Sequence, residues 1–289
     1  MTTATLPKMP PPLPTTTRRT GNGNEKKAAN VPALGKLEPV FQPPRIILNA
    51  VEGWGKTTMG TYAPNPAILM ATGETGYTTL LGAGLVPNVD AAHIATWEEL
   101  LAMLDHVGGH DTVVLDALGG FERLCHVNVC DRDFNGDWGE RGFASYKRGY
   151  EVAVNEWLKL LVKLDQLRSE GITILILSHC KIKTFKNPLG ADYDRYVSDV
   201  HDKTWAATAK WGDAVLFGNF YSVVDTERGG KPEALKKGKG IGGTERIVYT
   251  ERRDAFDAKN RYGMENEIDI PNDPSKSWNT IYTQIRKDK

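Results

Sequence analysis

The chain reads as an α/β protein, a mainly parallel sheet with helices on both faces and a small C-terminal β/α extension. Three observations carry that reading. Short, nearly continuous apolar runs of strand length recur along the chain, segments with a helical apolar period stand between them, and a glycine-rich turn bearing a lysine joins the first run to the first helix. Strands alternating with helices pair in parallel, and a sheet covered on both faces needs strands that are apolar on both sides.

The elements follow in order from Arg45. RIILNA (Arg45 to Ala50) comes directly after Pro43-Pro44 and reads as a buried strand. Residues 56 to 62 open the first helix, and AILMAT (Ala67 to Thr72) is the second strand. Thr96 with Glu99 three residues on is a capping box, which opens a helix through about Val107. TVVLDAL (Thr112 to Leu118) is a third strand ending at an aspartate, followed by helices over 118–130 and 144–170. In the second of these, Trp157, Leu160, Leu161, Leu164 and Leu167 form one apolar face. Gly171 stops that helix, and ITILILS (Ile172 to Ser178) is the fourth strand. DAVLFGNFYSVV (Asp213 to Val224) is the fifth; a Gly/Lys loop (Gly229 to Gly243), the strand ERIVYT, a short strand at Glu267 to Ile270 and a helix at Trp278 to Ile285 complete the chain.

Composition bounds what the protein can be. Of the 289 residues, the first 40 or so are rich in Pro, Thr, Gly and Asn, and nine of the sixteen prolines fall within the first 44. Such a segment cannot bury enough apolar surface to offset its ordering entropy, so it is expected to be a disordered tail. The division expected is a tail over 1–40, an α/β core over 41–225 and an extension packed on the core over 226–289. Thirty-six Lys and Arg balance thirty-six Asp and Glu, which argues against nucleic-acid binding by bulk charge and leaves only local basic patches. No apolar run is long enough for a membrane span, and the N-terminus shows no secretory pattern, so a cytoplasmic location is expected. Three cysteines (Cys125, Cys130, Cys180) suit a reducing compartment better than a disulfide framework, and no second pair completes a zinc site.

The strongest chemical signal is AVEGWGKT, Ala50 to Thr57, between the first strand and first helix. It fits the phosphate-loop pattern G-x-x-x-x-G-K-[ST] except that Ala50 replaces the first glycine. Gly53 and Gly55 give the backbone around Trp54 freedom to curl its N–H groups round a phosphate. Lys56 would reach the β- and γ-phosphates of ATP, and Thr57, with Thr58 beside it, would offer a hydroxyl to Mg²⁺. Asp116 ends its strand where a Walker B aspartate holds Mg²⁺; the alternative is a helix N-cap. Glu74, in ATGETG after the second strand, can deprotonate the attacking water, or be a solvated loop residue. His179, after the fourth strand, can sense the γ-phosphate, or be a structural histidine.

AVEGWGKT, ATGETG, TVVLDAL, ILILSHCKIKTFKNPLGADYDRY and KWGDAVLF together resemble the phage-type RecA-like P-loop ATPases, among them single-strand annealing and recombination-mediator ATPases. The resemblance runs from about Arg45 to Ile285. It implies a RecA-type core that binds ATP with Mg²⁺, assembles as a homo-oligomeric ring or filament, and acts on single-stranded DNA, with a single-strand-binding protein as a further partner. DAKNRYG (Asp257 to Gly263) is similar to the K-x-R element of ring-forming RecA-like helicases, which would make Lys259 and Arg261 fingers reaching a neighbour's γ-phosphate; otherwise they form a basic hairpin. By the same resemblance, the loop Cys180 to Tyr196, with Lys181, Lys183, Phe185 and Arg195, and the loop Asp131 to Arg148 would face DNA; the Gly/Lys loop with Lys231, Lys236, Lys237 and Lys239 is a third candidate, and the alternative for all three is lids over the nucleotide or solubilising loops. Two other classes stay open. Ala117, where many fast P-loop ATPases carry a glutamate, keeps a nucleotide-gated scaffold or helicase loader with little turnover in view, and a nucleoside kinase would use the same phosphate loop.

Overall fold

The computed structural model describes residues 34–226 and 238–286. The chain divides at Val40, and residues 34–40 before that point carry no regular secondary structure. The expected tail otherwise lies outside the described residues.

Six parallel strands form the centre of the sheet: β1 (Arg45–Ala50), β2 (Pro66–Ala71), β3 (Asp90–Ile94), β4 (Thr112–Asp116), β5 (Thr173–Phe185) and β7 (Ala214–Thr226). They lie in the order β7-β1-β5-β4-β2-β3, so one strand, β5, separates the strand that feeds the phosphate loop from the strand that ends at Asp116. β8 (Gly238–Tyr249) and β10 (Glu267–Ile270) continue the sheet antiparallel beyond β7, and β6 (Tyr193–Ser198) and β9 (Lys259–Asn260) pair with β5 and β7.

Alternate residues of each central strand enter opposite cores, which is why these strands read as unbroken apolar runs. Ile47, Val113, Leu115, Ile174 and Ile176 meet α3 (Trp97–Met103), α4 (Leu118–Phe134) and α5 (Arg148–Ser169) on one face. Ile46, Leu48, Val114, Leu175 and Leu177 meet α1 (Lys56–Thr61) and α7 (Pro274–Ile285) on the other. The predicted face of α5 is buried in the first core from Trp157 to Leu167. The capping box is present: Thr96 Oγ1 accepts from Glu99 N at 3.1 Å and Glu99 Oε2 accepts from Thr96 N at 3.3 Å. α3 nevertheless ends at Met103, short of Val107, in successive turns ahead of Gly109, whose φ is +93°.

Three elements went unread. α2 (Gly76–Gly82) and β3 are short and largely exposed. α6 (Asp202–Trp211) buries threonines where a stripe of apolar residues would have announced it: Thr208 Oγ1 accepts from Trp157 Nε1 at 2.9 Å and donates to Thr204 O at 2.7 Å. One segment needs correction. Cys180 to Tyr196 is not an open loop; β5 runs on to Phe185 and turns back as β6, a hairpin in register from Cys180↔Ser198 to Phe185↔Tyr193. β8 likewise begins inside the segment read as the Gly/Lys loop, whose Lys231, Lys236 and Lys237 lie outside the described residues.

At the N-terminal edge of the sheet, Asp213 is a buried charge hub. It accepts from Arg45 Nη2 at 2.8 Å and Nε at 3.0 Å, and pairs with Arg168 at 3.1 Å and Arg261 at 3.0 Å. Burial pushes its carboxyl up, but the hydrogen bond and charge of Arg45 and the charge of Arg168 outweigh that and leave it below the ordinary aspartate range. Its contribution is therefore complete above the unfolded pKa and lost only as pH falls through the lowered native value. Asp213→Ala removes the acceptor shared by three guanidinium groups, of which Arg45 keeps Asp165 at 2.8 Å, and is expected to cost about 3 kcal/mol in urea unfolding at pH 7, because breaking a buried pair leaves its partners under-compensated. A loss under about 0.5 kcal/mol, the range of ordinary surface changes, would mean that the network is solvated.

Candidate nucleotide site

The site is built where β1, β2 and β4 end and β5 passes beyond them, the C-terminal edge at which open α/β sheets bind ligands. β1 delivers the phosphate loop. Gly53 and Gly55 adopt φ of +71° and +99°, a left-handed backbone that side chains with a Cβ disfavour. Trp54 between them points away from the loop's mouth. It is 1% exposed, its indole N–H donates to Asn219 O at 3.2 Å and Ile247 O at 3.3 Å, and its ring lies so close to Gly218 that a Cβ there would come within 2.8 Å. Trp54 thus offers only its backbone to a nucleotide, and its side chain nails the loop to β7 and β8.

Lys56 is buried, and its ammonium donates only to backbone carbonyls of the same loop, Ala50 O at 2.9 Å and Val51 O at 3.2 Å. Burial lowers its pKa against the nearby charges of Cys180, Asp116, Asp199 and Glu52. α1 is barely a turn and a half long, so the anion cradle is mainly the loop's N–H groups and Lys56. Thr57 Oγ1 donates to Asp116 Oδ2 at 2.7 Å, joining the two residues expected to hold Mg²⁺. Burial raises the pKa of Asp116, opposed by that hydroxyl, His179 and Lys56. Thr58 follows in α1, and its carbonyl accepts from Thr61.

Two loops close the site. Gly76, at the start of α2, brings ATGETG against Thr57, 3.3 Å from Oγ1 to the position of a Cβ. Glu74 in that turn is half-buried; burial and then the charge of Asp116 raise its pKa, while His179 and Lys56 oppose. His179 pairs in register with Ala50 across β1 and β5. Lys56, Glu74, Asp116 and His179 therefore share one electrostatic field.

Asp199 joins that field and was missed in the sequence. It follows β6, donates its N–H to His179 O at 3.0 Å, and feels the charges of His179 and Lys56. Its carboxyl lies against Gly119, where a Cβ would sit 2.7 Å from Oδ2; a Cβ on Gly120 would sit 2.5 Å from Ala71 Cβ. The two glycines after Asp116 keep the start of α4 thin enough to fit beneath the site. Only the β5–β6 pairing could have located Asp199. Arg246 of β8 was also missed: its guanidinium backs the loop from outside, donating to Trp54 O at 3.4 Å and Pro271 O at 2.8 Å.

The remaining predicted residues lie elsewhere. Lys259 and Arg261 sit at the opposite edge of the sheet, beside the start of β1 and β7, and do not reach this chain's own phosphate loop. Lys259 Nζ donates to the carbonyls of Ala209 (2.6 Å) and Lys210 (3.3 Å) at the end of α6, and Arg261 is held by Asp213. On the hairpin, Lys183 pairs with Asp202 at 3.0 Å and Lys181 donates to Asp199 O at 2.9 Å. Arg195 is 7% exposed, pairs with Asp257 at 2.6 Å and lies over the ring of Phe185, so its guanidinium faces inward.

These residues fit a Mg-nucleotide. Among the described residues the lysine has no carboxylate partner, and the loop glycines have the required conformation. Among the described residues no three His, Cys, Asp or Glu converge as a complete metal cage. That donor set suits Mg²⁺, which takes one or two protein oxygens and completes its shell with phosphate and water.

A family model described as an AAA domain matches residues 42–262, most of the chain. No curated protein matches the chain. Among solved structures, the flagellar accessory protein FlaH from Methanocaldococcus jannaschii is similar at 8% identity and a TM-score of 0.40, over 79% of this chain and 85% of that one. Among the described residues no helix is long and apolar enough to cross a membrane.

Proposed function

The chain belongs to the AAA-domain family of P-loop ATPases, and we propose that it binds and hydrolyses Mg-ATP to drive a RecA-like, phage-type recombination or annealing reaction on single-stranded DNA. The observation that carries the nucleotide part is the 2.7 Å bond between Thr57 and Asp116, which sets a hydroxyl and a carboxylate side by side at the mouth of the phosphate loop. When bound, Mg²⁺ would rest on these two groups and neutralise charge on the phosphates. Lys56 would give up its two loop carbonyls for phosphate oxygens, exchanging neutral acceptors for charged ones. Glu74 would take the proton of the attacking water, supplying the general base that Ala117 cannot. His179 and Asp199 lie where loss of the γ-phosphate would be felt by the β5–β6 hairpin.

Lys259 and Arg261, far from their own chain's site, would act on a neighbour's nucleotide in a homo-oligomer, Arg261 leaving Asp213 to do so. The DNA part is supported by the exposed aromatic and basic side chains of the 131–148 segment, with Trp138 48% and Tyr146 fully exposed. Steady-state ATP hydrolysis with and without single-stranded DNA tests it. Several-fold stimulation is expected. ATP binding with turnover indifferent to DNA would favour the nucleotide-gated scaffold, and a pull-down for a helicase would be the next step.

A further inference from the structure

Along α4 lies a cavity of about 390 Å³ lined by Gly119, Glu122, Arg123, His126, Val127 and Trp138. The first five recur at helical spacing and form one face of α4; Trp138 closes the cavity from the segment that follows. We propose that this cavity takes one nucleotide unit of a single-stranded nucleic acid, its base on the Trp138 indole and its phosphate on the Arg123 guanidinium.

The indole is a prepared platform. It packs on Phe143 with ring centroids 4.9 Å apart, and Phe143 is itself buried between Phe134 at 5.6 Å and Tyr150 at 5.0 Å. Trp138 is nonetheless half exposed, so a face stays free for stacking without a further ordering cost. Arg123 is exposed and carries no ion pair among the described residues, whereas Arg132 on the same helix is held by Asp133 and Glu156 at 2.8 Å each. The other polar groups of the cavity are spent or neutral. Both oxygens of Glu122 accept from His201 N at 3.0 Å. His126 Nε2 lies 3.8 Å from Glu122, but burial, aided by His201, lowers its pKa to about 4, so this contact is not an ion pair at neutral pH. A flat apolar surface beside a single free cation matches a base joined to a phosphate.

The position also links this cavity to the ATP site. α4 begins directly after Asp116 and Ala117, Gly119 lies against the Asp199 carboxyl, and Glu122 holds the start of α6. The choice of a polymeric single strand over a free nucleotide rests on the function proposed above.

The test is a fluorescence-anisotropy titration of a labelled oligo-dT with the full chain, repeated with Trp138→Ala, Trp138→Phe and Arg123→Ala. Trp138→Ala is expected to weaken binding about 10-fold or more, as for loss of one stacked base, with Trp138→Phe recovering most of it. Arg123→Ala should lower the slope of log K against log salt by about 0.7, one phosphate contact on a single strand, which a merely structural role would not change. ATP binding by calorimetry should stay as in wild type, because neither residue belongs to the ATP machinery. Oligo-dT binding that survives in both alanine variants overturns the cavity assignment and leaves the DNA reading standing. Wild-type chain that binds no oligo-dT overturns both, and dTMP binding as tightly as the oligomer would give the cavity to a free nucleotide and overturn the single-strand assignment.

Discussion

Lys56→Ala is expected to abolish ATP binding, by a factor of about 100 or more in Kd, since each hydrogen bond between charged partners contributes roughly 1.5–3 kcal/mol and the ammonium would serve two phosphates. The structure says why the loss would be confined to binding. The ammonium sits inside the loop with only Ala50 O and Val51 O as partners, and burial already disfavours its charge. Removing it leaves two carbonyls short of a donor but also removes a desolvated cation, and these effects oppose each other in the free protein. The melting temperature without nucleotide should therefore move little, while the rise that Mg-ATP brings to wild type by mass action should disappear. Calorimetric titration of Mg-ATP into both proteins checks the first part, and thermal melts with and without nucleotide check the second. A Lys56→Ala chain that still binds tightly would take the phosphate loop out of the nucleotide site.

Which parts of this site were readable before the structure follows from how each residue is positioned. The phosphate loop, Glu74 and Asp116 are each fixed by one strand end, legible as an apolar run that stops at a turn; His179 stands inside β5, where the apolar run stops but the strand continues to Phe185. Edge-to-edge order then places these ends together, which the 2.7 Å contact of Thr57 and Asp116 records. Asp199 and Arg246 reach the same place by antiparallel pairing over long sequence distances, and nothing in their neighbours announces it. The hairpin of β5 and β6 looked like a loop because its residues from Lys181 on are mostly exposed and polar, so no core face marked its period. α6 was hidden for a different reason: its buried face is made of Thr204 and Thr208, satisfied by hydrogen bonds and by Trp157. The direction of the Trp54 side chain was not legible, because a motif names positions and not directions. Its indole fits a gap that Gly218 leaves open beneath the loop.

Glu74→Gln separates chemistry from binding and is the sharper test of an ATPase. Its carboxylate is the proposed general base and forms no side-chain hydrogen bond among the described residues; the turn is held by the backbone bond from Glu74 N to Ala71 O at 3.0 Å. Loss of a general base lowers kcat by about 10²–10⁴-fold. Binding should survive, and should tighten slightly, because the substitution removes one negative charge near Asp116 and Asp199, where a nucleotide brings several more. The pH dependence has a definite sign. Burial, then the charge of Asp116, holds the Glu74 pKa above the ordinary glutamate value, and only the ionised form can accept the proton. Wild-type hydrolysis should therefore fall as pH drops through that raised value, earlier than a solvent-exposed glutamate would allow, and the residual Glu74→Gln rate should lack this limb. Steady-state rates from pH near 5 to pH near 8, measured beside calorimetric ATP binding, read both parts together. A Glu74→Gln chain that hydrolyses ATP at the wild-type rate would move the base elsewhere in the cluster, with Asp199 next in line on the hairpin that also carries His179.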